Sequence, residues 1–149
     1  MGAENDAYFQ IDSADAESGG GGFNPTLRDM ARFGEMMRLG GRFNGKQIVP
    51  KAVVDDIRSQ GDPAKFAKAG YAPTLLGYGT GYTYRNMWWV SNNAHGVFDA
   101  RGIHGQRIYI DPKAELVIAK FSSHPLASNT NIIPLTDRAF AALADALIK

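Results

Sequence analysis

Hydrophobic and polar positions along this 149-residue chain repeat with two different periods, and the change of period divides it. Residues 1–23 are polar except for a strand-like stretch at 7–11, and they include the run Ser18-Gly19-Gly20-Gly21-Gly22. Four successive glycines read either as a flexible linker or as a place where backbone approaches something closely. The next stretch, "NPTLRDMARFGEMMRLGG", places Leu27, Met30, Ala31, Gly34 and Met37 at helical spacing. Thr26 stands as its N-cap, Asp29 lies in its first turn, and Gly40-Gly41 ends it. Met36 and Met37 read as core filling and not as soft-metal ligands. "NGK" at 44–46 is a turn, and Pro50 opens a second helix that runs to about Arg58. Residues 60–76 read as loop.

From Gly77 the period shortens to two. "GYGTGYTYRNMWWVSN" and "GVFDARGIHGQRIYIDPKAELVIAKFSS" are rich in aromatic and β-branched residues that alternate with polar ones. "DPKAE" at 111–115 is a turn between strands at 107–110 and 116–121, so the segment reads as an antiparallel meander. Pro134 then opens a closing helix with a stripe of Phe140, Leu143, Ala144 and Leu147. The fold class is α+β, an antiparallel sheet flanked by helices. One domain spans 1–149, with a helical part at 24–60 and the sheet plus C-terminal helix at 77–149. No internal repeat is visible.

Composition removes several function classes. Lys+Arg 16 against Asp+Glu 15 gives a net charge of +1 with the signs interleaved, not the basic stripe that nucleic acid requires. No apolar run is long enough to cross a membrane as a helix, and no secretory signal is visible at the start. The absence of cysteine excludes disulfides and Cys-ligated zinc. The compartment cannot be read.

Candidate chemistry is sparse. G-x-S-x-G is absent. "GYGTGY" at 77–82 is not a phosphate-binding glycine motif and reads as the start of a strand. His95, His104 and His124, with Asp99, lack H-x-x-x-H spacing, so no metal is expected. Ser123 and His124 are adjacent on a strand, point to opposite faces and cannot form a nucleophile–base pair. Asp55 and Asp56, beside Arg58, read as a solvated helix face. Of Trp88 and Trp89, one anchors the core, and the other becomes a candidate pocket wall on the opposite face.

Taken together, "SGGGGFNPTLRDMARFGEMMRLGGRFNGKQIVP", "NMWWV" and "GIHGQ" resemble the serine β-lactamase and penicillin-binding-protein superfamily. The similarity falls in its class C-like and esterase-like branch, nearest the 6-aminohexanoate-oligomer hydrolases. The resemblance covers nearly the whole chain. It implies a partial β-lactamase/transpeptidase-like fold and an acyl-enzyme mechanism on a small amide or ester, without metal or organic cofactor. In that mechanism the serine of an S-x-x-K motif attacks the carbonyl while a strand N–H serves the oxyanion hole.

Carried over residue by residue, the resemblance assigns the oxyanion N–H to Ile103, with Gly102 letting substrate approach. It also gives Trp89 as an aromatic closing over substrate and Asn24 as a polar residue at the rim. His104 lies one residue past the functional amide, and a structural hydrogen bond is its plainer reading. The departure is large, because the residues three before the lysines are Phe43, Ile48, Asp62, Lys65, Ile110, Val117 and Ala146, so S-x-x-K is absent. K-T-G is missing too, and "YRN" at 84–86 matches Y-x-N only in letters. The chain therefore reads as a C-terminal portion whose partner is the missing N-terminal part of the same protein. It is expected to be inactive alone and to self-associate through an exposed sheet edge. Two other readings stay open: a non-catalytic binding or regulatory module that keeps the fold, and a metal-dependent enzyme built on the three histidines.

Overall fold

In the computed structural model, residues 1–68, 81–128 and 130–148 are described. The polar N-terminal stretch pairs with itself. Strand β1 (Tyr8–Phe9) lies antiparallel to β2 (Phe23–Asn24), and the Phe9 and Phe23 rings meet at 4.9 Å between centroids. Of the four glycines between them, only Gly22 is in close approach, since a Cβ there would sit 2.7 Å from the Ser18 carbonyl oxygen.

Helix α1 (Leu27–Arg38) starts where expected, with Thr26 Oγ1 accepting the Asp29 N–H at 3.2 Å. Its buried face carries Gly34, Met36 and Met37, whereas Leu27, a member of the expected stripe, is exposed at the first turn. The short ladder of β3 (Arg42–Phe43) with β4 (Lys46–Gln47) is closed by Asn44 and Gly45, both at positive φ as a tight hairpin turn requires. Helix α2 (Lys51–Arg58) follows Pro50 and buries Val54 and Ile57.

The loop expected over 60–76 is interrupted by α3 (Pro63–Lys68). The Asp62 carboxylate accepts the N–H groups of Ala64 and Lys65, which supplies the cap that starts it. No residue of α3 is buried, so the helix has no apolar stripe for periodicity to detect. Residues 69–76, and residues 77–80 of the glycine-containing strand start, lie outside the described residues.

Strands β5 (Thr83–Arg85), β6 (Trp88–Val90), β7 (Phe98–Arg101), β8 (Arg107–Asp111) and β9 (Leu116–Lys120) form the expected meander, each antiparallel to the next. Asn86 and Met87 both take positive φ and turn the chain between β5 and β6.

The register sorts side chains onto two unlike faces. Trp88, Val90, Phe98, Ile108 and Ile110 share one face and pack with Met36, Met37, Val54 and Ile57 of α1 and α2. Gly34 lets α1 lie flat on this face: a Cβ there would come within 2.6 Å of Val117 Cγ1 and 2.9 Å of Ile108 Cγ2. Asp55 and Asp56 are exposed as expected, but Asp56 does more than face water. It accepts hydrogen bonds from Arg85 and Asn86 and so ties α2 to the β5–β6 turn.

The opposite face carries Trp89, Asp99, Arg101, Arg107, Tyr109 and Lys120. Helix α4 (Ile133–Leu147) covers part of it through Phe140, whose ring lies 5.3 Å from Tyr109. Only Phe140 and Ala144 of its expected stripe are buried. Leu143 and Leu147 are 54% and 55% exposed, so about half of the expected stripe stays open to solvent.

Candidate active site

Between β7 and β8 the chain makes a tight turn over residues 102–106. Gly102 is extended, residues Ile103–Gly105 form a single 3-10 turn, and His104 and Gly105 take positive φ. The Gly102 N–H donates to the Gln106 carbonyl at 2.9 Å, and the Gln106 N–H donates to the Ile103 carbonyl at 3.4 Å. The Ile103 N–H has no acceptor among the described residues, and the Ile103 side chain is 67% exposed. Gly102 and Ile103 line a cavity of about 210 Å³ together with Arg101, Arg107, Lys120 and His124.

The turn is stitched to the segment that follows β9. The His104 N–H donates to the Ala127 carbonyl at 3.0 Å, and the His104 carbonyl accepts the His124 N–H at 3.0 Å. The imidazole Nδ1 of His104 lies 2.7 Å from the His124 carbonyl oxygen. A carbonyl only accepts, so this nitrogen carries the proton. Gln106 extends the ladder with its side-chain amide, donating to the Ser122 carbonyl at 2.6 Å and accepting the Ser122 N–H at 3.1 Å. His104 thus makes the structural hydrogen bond that was its plainer reading.

Sequence reasoning set aside the Ser123–His124 pair and stopped one residue short. Lys120, Ser122 and His124 alternate, so they share a face, and their side chains converge. The Lys120 ammonium donates to the Gly105 carbonyl at 3.1 Å, to Ser122 Oγ at 2.9 Å and to His124 Nε2 at 3.2 Å. Ser122 Oγ in turn donates to the His104 carbonyl at 2.9 Å. Gly105 leaves just enough space for this, because a Cβ there would lie 2.5 Å from Ser122 Oγ and 2.6 Å from His124 Nδ1. Loss of hydration, then the neighbouring Arg107, lowers the Lys120 pKa from its usual value. Loss of hydration, then Lys120 and His104, lowers that of His124. The signal that could have found this cluster is period-two spacing carried past the end of the apolar strand.

Beneath the turn lies a buried ionic network. Asp99 is fully buried and accepts from Arg101 Nε at 2.9 Å and from Arg107 Nε at 2.9 Å. Arg107 also donates to Asp137 of α4, and Arg101 lies 3.7 Å from the same carboxylate. Burial opposes the charge on Arg101, but the attraction of Asp99 outweighs it and raises the guanidinium pKa. Tyr82 packs against Arg101 at 5.0 Å, and burial raises its hydroxyl pKa. This network fixes both strands that flank the turn.

Trp89 and Asn24 are not among the residues lining that cavity. Trp88 is the core tryptophan, 5.3 Å from the Phe98 ring, while Trp89 packs on the other face with Tyr84 at 4.8 Å and Phe66 at 5.8 Å. Asn24 turns its amide back on its own hairpin and donates to the Gly22 carbonyl at 2.7 Å. His95 is away from the other two histidines and bonds the buried Asp111 carboxylate at 2.8 Å. Among the described residues no group of three metal-ligating side chains converges.

No family model matches the chain. A 6-aminohexanoate-dimer hydrolase of Paenarthrobacter ureafaciens is 32% identical over 123 residues, covering 83% of this chain and 30% of that protein. A solved structure from Bacillus anthracis, provisionally assigned as a 6-aminohexanoate-dimer hydrolase, superposes with a TM-score of 0.82 at 36% identity and covers 98% of this chain. A second, from Bacteroides dorei DSM 17855 and provisionally assigned as a beta-lactamase, gives 0.50 at 20% identity over 89% of the chain, a likeness of fold alone. In fold, the chain matches β-lactamase-like hydrolase structures. In sequence, its similarity is to 6-aminohexanoate-dimer hydrolases. The chain spans 30% of the first relative and 35% of the Bacillus anthracis structure.

Proposed function

We propose that these residues are the C-terminal portion of a serine hydrolase that cleaves a linear amide or ester of the 6-aminohexanoate-oligomer type through an acyl-enzyme. The observation that carries the reading is the Ile103 N–H, which has no acceptor among the described residues and lies on a turn lining a cavity. When a serine attacks a carbonyl, the oxygen becomes an oxyanion, and a fixed N–H there is worth about 3–4 kcal/mol in the transition state. A backbone donor needs no particular side chain, which is why an isoleucine serves. Gly102 keeps the approach clear, and Trp89 and Asn24 supply pocket and rim contacts completed by the remainder of the protein. No cofactor enters such a mechanism.

The chain holds no S-x-x-K, and Ser122 does not replace it. Its hydroxyl proton points to the His104 carbonyl and its oxygen accepts from Lys120, so no base receives the proton on which a nucleophilic attack depends. The nucleophile comes from the N-terminal part of the same protein, and the chain alone is inactive. The test is hydrolysis of p-nitrophenyl acetate and of the 6-aminohexanoate linear dimer by the purified chain, before and after adding the upstream half. Turnover only after addition supports the reading. Turnover by the chain alone that is lost on Ser122→Ala overturns it, and silence in both arms favours a non-catalytic module.

A further inference from the structure

The Lys120 ammonium makes three hydrogen bonds, two of them within the ring of contacts that fixes the turn: the Gly105 carbonyl, and Ser122, which itself holds the His104 carbonyl. The third acceptor is His124 Nε2. An imidazole nitrogen accepts only when unprotonated, so the arrangement requires neutral His124 with its proton on Nδ1. That Nδ1 is buried against Gly105 and has no partner, so the ring has no second acceptor to turn toward. The groups facing His124 are Lys120 from β9 and His104 from the turn, with Arg107 of β8 behind Lys120 and uncharged Ile133 and Thr136 on the α4 side of the cavity. No carboxylate pairs with Lys120 or His124 among the described residues.

We propose that His124 is a positioning residue of the turn over 102–106: as a neutral acceptor it holds Lys120 on the Gly105 carbonyl and Ser122, and on protonation it releases it. A proton taken from solvent by Nε2 replaces the acceptor with a donor and sets two cations 3.2 Å apart. Lys120 then withdraws, the Gly105 carbonyl and Ser122 lose their donor, and the turn that presents the Ile103 N–H loosens. The lowered pKa of His124 places this release on the acid side of an ordinary histidine. The consequence for catalysis rests on the oxyanion reading of Ile103, but the latch itself does not.

The experiment is a pH titration of the isotope-labelled chain by NMR, following the Ile103 amide and the His124 ring. The two signals are expected to move with one midpoint below 6.5, the usual histidine value. In His124→Gln, whose side-chain oxygen still accepts from Lys120 but does not titrate, the Ile103 amide should stay still through that range. An Ile103 amide that titrates equally in the variant, or fails to move while the His124 ring titrates, overturns the proposal. So does a wild-type Ile103 amide that already has the shift of an unordered residue at about pH 7, where the latch should be closed. Failure in these signals leaves the hydrolysis assay of the oxyanion reading unaffected, so the two ideas fail separately.

Discussion

Asp99→Asn is the substitution that the buried network makes most costly. Asp99 is fully buried, its two oxygens receive two guanidiniums, and the side chains of Arg101 and Arg107 are themselves only 7% and 5% exposed. Asparagine keeps the volume but removes the negative charge and turns one acceptor into a donor facing a cation. Removing one partner of a buried ion pair costs about 3–5 kcal/mol, because the remaining charges stay out of water without compensation. Asp137 is the internal comparison. Its side chain is 22% exposed, so water screens it, and Arg107 keeps Asp99 when Asp137 is neutralised. Asp137→Asn should cost about 1–2 kcal/mol, in the range of a hydrogen bond to a charged group. Urea unfolding followed by far-UV circular dichroism separates the two cases. At an m-value near 2 kcal/mol/M, Asp99→Asn lowers the midpoint by roughly 2 M and Asp137→Asn by about a third of that. Equal midpoints for the two variants, or a shift below about 0.5 M for Asp99→Asn, would refute the claim that Asp99 is the keystone.

Four further outcomes follow from the same geometry. Gly105→Ala places a Cβ against Ser122 and His124 at a φ of +86, so it should cost about 2–4 kcal/mol in thermal unfolding, while Gly19→Ala, with open space around it, should be close to neutral. Gly34→Ala gains about 1 kcal/mol of helix propensity but drives a methyl into Val117 and Ile108, so a net loss of up to about 2 kcal/mol is expected by the same measurement. Asp29 is held at a pKa of about 2, first by the Glu4 N–H and then by Thr26, Arg32 and the Asn5 N–H. A lowered carboxyl stabilises the fold above its unfolded value of 3.8 and ceases to do so as pH falls through about 2, so the Glu4 amide should lose exchange protection across that window. Strand β9 pairs only with β8 among the described residues, so we expect the isolated chain to self-associate through that edge; a single monomeric species at all concentrations in sedimentation velocity would count against this.

The parts of the fold that were legible in the sequence are those where one physical demand dominates. Helix α1 announces itself because a cap, an apolar stripe and a glycine stop coincide within one stretch, and the β7–β9 meander because burial on one face enforces alternation. Helix α3 carries no such demand: none of its residues is fully buried, and it is started by a single carboxylate. The exposed half of the α4 stripe is the opposite case, where an apolar pattern is real but Leu143 and Leu147 stay more than half exposed.

The site divides in the same way. Gly102 and Ile103 could be carried over from a family resemblance, because a tight turn with an outward N–H leaves a local trace in "RGIHGQ". The Lys120–Ser122–His124 cluster leaves only a period-two spacing. Its members acquire meaning only when β9 is laid beside β8 and the following segment folds back over Gly105. The same folding explains why His104, although next to the Ile103 amide, has its Nδ1 and its backbone committed to hydrogen bonds, while His124, twenty residues later, faces the Lys120 ammonium.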